Sequence, residues 1–307
     1  MRVPDSQIPL VSVVIATYNR SYVLRHAVAS VLASVLQDFE VIVVGDCCTD
    51  DSEAVVASFD DPRVRFVNLE EHCGDQSAPN NLGCMLSRGE FIAFLNHDDL
   101  YLPDHIGSSA AFLRTSGADL VWTPMIWLEP ATQDQLAGRQ WPAALLGVSA
   151  SGEFDAMTFV SASSVMFRRD LVKRVGPWRR GGGLYVSPSQ DWLYRAACAG
   201  AHLAFLPHPS SLCINSGHRP GSYANRSSLE HEVYGGLVGD TSFRTELLEA
   251  AVVRQAREIA GRGPSTSIRL LLRAMGAPFR AVCRMVGLHP MSAHMLVRLV
   301  QIGRAHV

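Results

Sequence analysis

Three short runs of apolar residues in the first third of the chain each end in a cluster of polar residues. The runs span 11–16, 39–45 and 91–95, and the clusters that follow them are Thr17-Tyr18-Asn19-Arg20, Asp46-Cys47-Cys48-Thr49-Asp50-Asp51 and Asn96-His97-Asp98-Asp99. Near-continuous Val, Ile and Phe runs are typical of strands in a parallel sheet that is covered on both faces. Helical spacing between the runs gives a β-α-β-α order with right-handed crossovers. The sequence therefore predicts a Rossmann-like α/β fold, with a mostly parallel sheet flanked by helices.

The three polar clusters are predicted to meet at one edge of this sheet, because ligand sites lie beyond the carboxyl ends of parallel strands. Asp98-Asp99 offers the carboxylate oxygens that a divalent cation prefers, and Asp46 can accept hydrogen bonds from a nucleobase or a ribose. Each aspartate taken alone is equally typical of a turn or a helix cap. Neither a Gly-x-Gly-x-x-Gly motif nor a P-loop follows any of the runs, which disfavours a dinucleotide-binding Rossmann domain and a P-loop nucleotide site.

The second half of the chain has a less regular pattern. Strands are predicted at 118–122 and 161–167 and a helix at 190–199, whereas 129–152 has the composition of a loop region. From Leu229 onward the apolar spacing is helical, which predicts a helical C-terminal extension.

Composition narrows the class of protein only slightly. Of the 307 residues 48% are hydrophobic and 18% are charged, and the formal net charge of −2 points to no nucleic-acid partner. The seven cysteines form no Cys-x-x-Cys pair, which favours reduced thiols in the cytoplasm. The chain carries no pattern of a secretion signal or a membrane span, so we expect a cytoplasmic protein.

Residues 259–301 contain six arginines and no acidic residue. Arg269, Arg273, Arg280 and Arg284 would share one face of a continuous helix, and such a basic amphipathic segment can lie on an anionic membrane surface. A helical hairpin packed on the domain with its arginines in water is the alternative. The last six residues, 302–307, match the translation of a common sequencing adapter, so we expect the native chain to end near Gln301.

Four motifs in order resemble family 2 glycosyltransferases over about residues 9–220. They are the opening Pro9-Leu10-Val11-Ser12-Val13-Val14-Ile15-Ala16-Thr17-Tyr18-Asn19-Arg20, the loop 46–52, the strand and acidic cluster 89–99, and Gln190-Asp191-Trp192. The resemblance implies a GT-A fold at 1–225, with a nucleotide-binding half at about 9–128 and an acceptor half at about 129–225. The helical extension then occupies 226–301.

The resemblance also implies roles for individual residues. The nucleotide-diphosphate-sugar donor would contact Thr17, Tyr18, Asn19, Asp46, Asn80 and Asp98. Asp99, with Asp98, would hold Mg²⁺ or Mn²⁺ on the donor diphosphate. Asp191 would be the general base that deprotonates the acceptor hydroxyl, so that one displacement inverts the anomeric carbon. His218 and Arg219 would belong to an acceptor or diphosphate loop, and Trp178 would stack on a sugar or else pack in the core.

Three neutral residues depart from the family pattern. Asn80 stands where the family often has Arg, Asn96 where it has Asp, and Gln190 where it has Glu. The leading hypothesis is an inverting glycosyltransferase that acts on a glycan or lipid-linked acceptor in polysaccharide, glycolipid or other glycoconjugate synthesis. A degenerate protein that binds nucleotide-sugar or glycan without turnover is one alternative. A nucleotidyltransferase is another, although residues 17–20 are not the glycine- and lysine-rich loop that it would favour.

Overall fold

The computed structural model describes residues 8–184, 186–215, 222–224 and 226–261, with side chains up to Arg257. The strands are β1 Val11–Thr17, β2 Phe39–Gly45, β3 Val64–Asn68, β4 Phe91–Asn96, β5 Asp99–Tyr101, β6 Leu120–Trp122, β7 Met125–Leu128, β8 Ala143–Leu146, β9 Val165–Arg168, β10 Leu203–Phe205 and β11 Ser211–Ile214. The helices are α1 Ser21–Leu32, α2 Ser52–Ala57, α3 Ser77–Leu86, α4 His105–Ser116, α5 Gln133–Ala137, α6 Leu171–Val175, α7 Pro188–Cys198, α8 Leu229–Leu237 and α9 Thr241–Gly261. Single 3₁₀ turns lie at Ala162–Ser164 and Gly181–Gly183.

The central sheet has seven strands in the order β10-β6-β9-β4-β1-β2-β3. β1 pairs in parallel with β2 and with β4, and β9 is the antiparallel strand between β4 and β6. Val11 lies opposite both Phe39 and Phe91, so the three strands run in step and end together. The predicted mostly parallel α/β sheet is therefore confirmed, and its three polar clusters leave the sheet at one edge.

Both faces of the central strands are buried, as the continuous apolar runs predicted. Val13 and Ile15 pack on one face in a cluster that includes residues of α1 and α4. Val14 points to the other face, into a cluster that contains Trp178 and Trp192. Successive side chains of β1 point to opposite faces of the sheet, so one strand contributes residues to two separate hydrophobic cores.

A second sheet of four strands has the order β5-β11-β7-β8. Its side chains share a hydrophobic core with α8 and α9, including Ile126, Leu212, Tyr234 and Phe243. The helical character from Leu229 is confirmed, and these helices pack directly on the sheet. The predicted domain limits themselves stay a prediction.

One local prediction from the sequence was wrong, and one helix was not predicted. Residues 129–152, expected to be a loop region, contain α5 and β8, and Thr132 begins α5 with a capping box that also uses Gln135. The stretch at 74–83 carries no helical prediction, yet α3 forms there. Both elements are short, so their apolar positions are too few to display a period.

The greater part of the basic segment 259–301, and the whole tail 302–307, lie outside the described residues. Among the described residues no helix combines the length and the apolar character needed to cross a membrane.

We predict that Gly83→Ala destabilises the fold, because a Cβ at this position in α3 would lie 2.2 Å from Cγ1 of Val14 in β1. Such overpacking costs about 1–3 kcal/mol in the free energy of unfolding. Gly107→Ala in α4 is the matched control, since its Cβ would meet Leu36 at an ordinary 3.6 Å. The control should be neutral or stabilising by up to about 1 kcal/mol. Denaturant unfolding of both variants checks this, and equal stabilities would contradict the close α3–β1 packing.

Candidate active site

A cavity of about 560 Å³ lies at the carboxyl ends of β1, β2 and β4. Its wall takes residues from all three polar clusters and from the loop before α3. The lining residues are Ala16, Thr17, Tyr18, Arg20, Asp46, His72, Gly74, Asp75, Gln76, Pro79, Asn96, His97, Asp98, Pro188 and Tyr223. The convergence that the sequence predicted therefore forms a real concave site.

One wall of the cavity is aromatic. The Tyr18 ring stacks on His72 with centroids 4.2 Å apart and planes 25° apart, and Tyr223 lies 6.0 Å from Tyr18. Beside this wall, the hydroxyl oxygen of Thr17 is buried and has no hydrogen-bond partner among the described residues. An aromatic face next to an unsatisfied hydroxyl suits a planar polar ligand such as a nucleobase.

The carboxylate of Asp46 shapes the loop that carries His72. It accepts hydrogen bonds from the backbone N–H groups of Cys73 at 2.8 Å and Gly74 at 2.9 Å. His72 Nδ1 lies 2.8 Å from the same carboxylate. Asp46 is only 3% exposed, so its bonds to this loop are shielded from water and hold the aromatic wall in place.

Asp98 faces the cavity as an ion pair with Arg20. Arg20 Nη1 lies 2.7 Å from Asp98 Oδ2, and the Asp98 side chain is 19% exposed. Burial by itself would raise the pKa of Asp98, but the charges of His97 and Arg20 and the hydrogen bond from Arg20 hold it below the ordinary value. Because burial also lowers the pKa of His97, the permanent positive charge here is that of Arg20.

The backbone of Asp98 is held from the other end of the chain. His231 in α8 is fully buried, and its Nε2 lies 3.0 Å from the carbonyl oxygen of Asp98. Its Nδ1 lies 2.7 Å from the Ser228 hydroxyl. Burial lowers the pKa of His231 to about 4, so a neutral ring donates from Nε2 to Asp98 and accepts from Ser228.

Asp99 turns away from the cavity and joins the two sheets. Its carboxylate accepts hydrogen bonds from Asn96 Nδ2 at 2.9 Å, Ser163 Oγ at 2.5 Å and the N–H of Ile214 at 3.3 Å. It is 1% exposed and is not part of the described cavity wall. Burial and the neighbouring Asp98 charge raise its pKa to about 7. Asp98 therefore lines the described cavity and Asp99 does not, and the assignment of a metal to Asp99 with Asp98 stays a prediction.

Two asparagines expected at the donor support the fold instead. Asn19, at a φ of 46°, accepts from the N–H of Thr49 at 2.7 Å and so links the first two polar clusters. Asn80 is buried in α3, with its amide 3.5 Å from Gln76. Within the described residues neither side chain lines the cavity.

Asp191 lies in the first turn of α7, three residues after Pro188 on the cavity wall. Its Oδ2 is 2.8 Å from Arg195 Nε, and its Oδ1 is 3.7 Å from Arg179 Nη1. The described cavity wall does not include the carboxylate itself. Trp178 is 5% exposed and packs edge-on against Phe94 at 4.8 Å, so it belongs to the core rather than to a sugar site.

Two residues that the sequence predicted for the site lie outside the described residues, and three residues of the cavity wall were not predicted. His218 and Arg219 fall outside the described residues. His72, Asp75 and Tyr223 were missed. The Asp75 carboxylate accepts a hydrogen bond from the N–H of Gly181 at 2.7 Å. This bond links the cavity wall to the glycine turn Gly181–Gly183. The sequence signal for Asp75 is weak, an Asp two residues before the first residue of a helix.

The described residues of the cavity can be tested for their fit to a divalent cation. Among the described residues no group of three or more His, Cys, Asp or Glu side chains forms a metal site. Mg²⁺ in proteins is commonly held by one or two carboxylates plus substrate phosphates. Asp98 supplies one such carboxylate on the wall, so the residues fit a cation that arrives with a diphosphate.

An open α/β sheet with a polar cavity at its carboxyl edge has the usual location of a ligand site in α/β proteins, and comparisons with known proteins identify the family. The model of Glycosyl transferase family 2 matches residues 12–176, more than half of the 307 residues. The chain therefore belongs to glycosyltransferase family 2. The fold agrees with that of the mannosyltransferase PcManGT from Pyrobaculum calidifontis, solved in complex with GDP-Man and Mn²⁺. The TM-score is 0.54 at 17% identity, covering 94% of this chain and 87% of that one.

Curated relatives resemble shorter stretches. The succinoglycan biosynthesis protein ExoO of Rhizobium meliloti is 36% identical over 114 residues, 37% of this chain and 32% of ExoO. WfaP of Escherichia coli, a UDP-Glc:alpha-D-GlcNAc-diphosphoundecaprenol beta-1,3-glucosyltransferase, is 28% identical over 106 residues, 34% of this chain and 42% of WfaP. The chain thus matches well under two thirds of either relative.

We predict that Asp46→Ala loosens the loop that carries the aromatic wall. Losing a buried acceptor leaves the Cys73 and Gly74 amides unsatisfied, which costs about 1–3 kcal/mol. Hydrogen–deuterium exchange should then be faster in peptides covering 69–79. Asp61→Ala is the matched control, because Asp61 accepts from the backbone and side chain of Arg63 at a turn before β3. Unchanged exchange at 72–75 in Asp46→Ala would contradict this role.

Proposed function

We propose that the protein is an inverting glycosyltransferase that moves a sugar from a nucleotide-diphosphate-sugar to a hydroxyl of a glycan or lipid-linked acceptor. The observation that carries the proposal is the cavity itself, where an aromatic wall for a base lies beside an ionised carboxylate, Asp98, for the diphosphate. Family membership and the printed activity of WfaP, which uses UDP-Glc and a diphospho-lipid acceptor, support it. ExoO supports a role in polysaccharide synthesis.

Donor binding is assigned to residues on the cavity wall. The base stacks on Tyr18, donates a hydrogen bond to the Asp46 carboxylate, and donates to or accepts from the Thr17 hydroxyl. Asp98 takes the ribose, the sugar or the cation on the diphosphate. Mg²⁺ or Mn²⁺ held by Asp98 would supply positive charge for the leaving diphosphate. The Mn²⁺ complex of PcManGT supports this choice of metal.

Asp191 is assigned as the general base of the transfer. It lies in the first turn of α7, and Pro188 of the same turn lines the cavity. Arg195 fixes Oδ2 at 2.8 Å, whereas Arg179 is 3.7 Å from Oδ1. Oδ1 has the longer contact and is therefore the oxygen that we assign to the acceptor hydroxyl. Proton removal at that oxygen lets the hydroxyl displace the diphosphate in one inverting step.

Attachment to the cytoplasmic membrane face through 259–301 remains a prediction from the sequence. Proximity to a lipid-linked acceptor is what would make such attachment useful to this enzyme.

We predict that Asp191→Asn keeps donor affinity and loses most transfer, because positioned bases typically contribute about 10²–10⁴-fold. Calorimetric titration with UDP- and GDP-sugars in the presence of Mn²⁺ identifies the donor. The rate at which the nucleoside diphosphate forms then measures turnover. Asp155→Asn, a carboxylate in the 148–160 loop, is the control and should transfer normally. Wild-type transfer by Asp191→Asn would refute the base assignment. Donor binding without any transfer in the wild type would favour the non-catalytic alternative.

We predict that substitutions of Asp98 and Asp99 differ in how donor affinity depends on Mn²⁺. Asp98→Asn should abolish the dependence of donor affinity on Mn²⁺, because the variant removes the carboxylate on the cavity wall. Asp99→Asn should keep that dependence and instead lower the free energy of unfolding by about 1–3 kcal/mol, since it disturbs a buried hydrogen-bond junction. Calorimetry with and without chelator, together with thermal unfolding, distinguishes the two. Loss of the Mn²⁺ dependence in Asp99→Asn, with the dependence kept in Asp98→Asn, would instead assign the metal to Asp99.

A further inference from the structure

Arg20 is a cation buried beneath the candidate donor site. It lies three residues after the end of β1 and directly before α1, and it is 1% exposed, although arginine is almost never fully buried unless it is paired. Its Nη1 contacts Asp98 Oδ2 at 2.7 Å and lies 3.3 Å from His97 Nε2. The guanidinium is therefore part of the same charged group as the cavity carboxylate.

Several contacts hold the guanidinium where it is. Its carbon lies 5.6 Å from the Tyr22 ring centroid and 5.5 Å from that of Tyr223. Arg20 Nε donates to the Tyr22 hydroxyl at 3.4 Å, and that hydroxyl donates to the carbonyl of Ser222 at 2.6 Å. Moving Arg20 away would break these contacts and separate the buried guanidinium from the Asp98 carboxylate. These contacts favour retention of Arg20 beside Asp98 when a ligand enters the cavity.

This fixed charge has a consequence for a divalent cation. Without a donor, a cation that approaches Asp98 meets a carboxylate whose charge is already compensated, and the neighbouring Arg20 guanidinium repels it. Desolvated surroundings weaken such repulsion less than water does. A donor diphosphate brings negative charge that compensates the guanidinium and the cation together.

We propose that Arg20 is the resident counter-cation of Asp98, and that it makes divalent-cation binding depend on the diphosphate of the donor. The proposal rests on the proposed function for the identity of that diphosphate. Cation and donor then bind cooperatively, and by linkage each raises the affinity for the other by the same factor. Arg20 is in this sense a positioning residue that acts through Asp98.

The test measures Mn²⁺ binding to the donor-free full chain, by electron paramagnetic resonance of the free ion. Wild type should bind Mn²⁺ weakly, and Arg20→Gln should bind it at least tenfold more tightly. Arg20→Lys keeps the positive charge and should stay weak. Arg25→Gln removes an exposed arginine one turn further along α1 and is the matched charge control. Circular dichroism confirms that each variant is folded.

A second measurement covers the case in which Arg20→Gln does not fold. Mn²⁺ affinity of the wild type is compared with and without saturating UDP or GDP, and a tenfold or larger increase is expected. Equal Mn²⁺ affinity in folded Arg20→Gln and wild type, or no increase with a nucleotide that binds, would overturn the proposal. If no nucleoside diphosphate binds while Arg20→Gln still gains Mn²⁺ affinity, the proposed function fails, whereas the role of Arg20 as the counter-cation of Asp98 stands.

Discussion

The in-step pairing of β1 with both of its neighbours is the constraint on which the site depends. Val11 pairs with Phe39 on one side and with Phe91 on the other, and the parallel ladders continue to the ends of the strands. A shift of one residue in either ladder would turn the apolar side chains of that strand to the opposite core. It would also move Asp46 or Asp98 out of the cavity. Packing of the two hydrophobic cores therefore fixes the relative positions of polar residues that lie far apart in sequence.

How much the sequence predicts differs between strands and single side chains. Long apolar runs predicted the sheet and the convergence of the clusters, because burial on both faces leaves an unmistakable pattern. The sequence did not separate Asp98 from Asp99. Pairing of β5 with β11 turns Asp99 inward to Ser163 and Ile214. The residues next to Asp99 in sequence give no sign that β5 pairs with β11. Asn19 and Asn80, expected at the donor, contact Thr49 and Gln76 in the structure, and the sequence alone does not reveal these partners.

Contacts between distant parts of the chain account for the other features of the site that the sequence did not predict. His231 reaches the backbone of Asp98 across 133 positions of sequence, and Tyr223 packs over Arg20. Such contacts depend on how α8 docks against α1 and the second sheet. The predicted helical extension, 226–301, includes His231, so a residue that the sequence alone assigns to an appendage supports the backbone of Asp98.

The aromatic wall and the charged pair are built from separate pieces of chain with separate supports. Asp46 holds the His72 loop through two backbone amides, whereas Arg20, Tyr22 and His231 hold Asp98. Residues 70–76 take part in none of the contacts of the charged pair described above. For protein engineering, this separation means that the loop behind the aromatic wall can be exchanged while Arg20 and Asp98 keep the supports that come from α1 and α8.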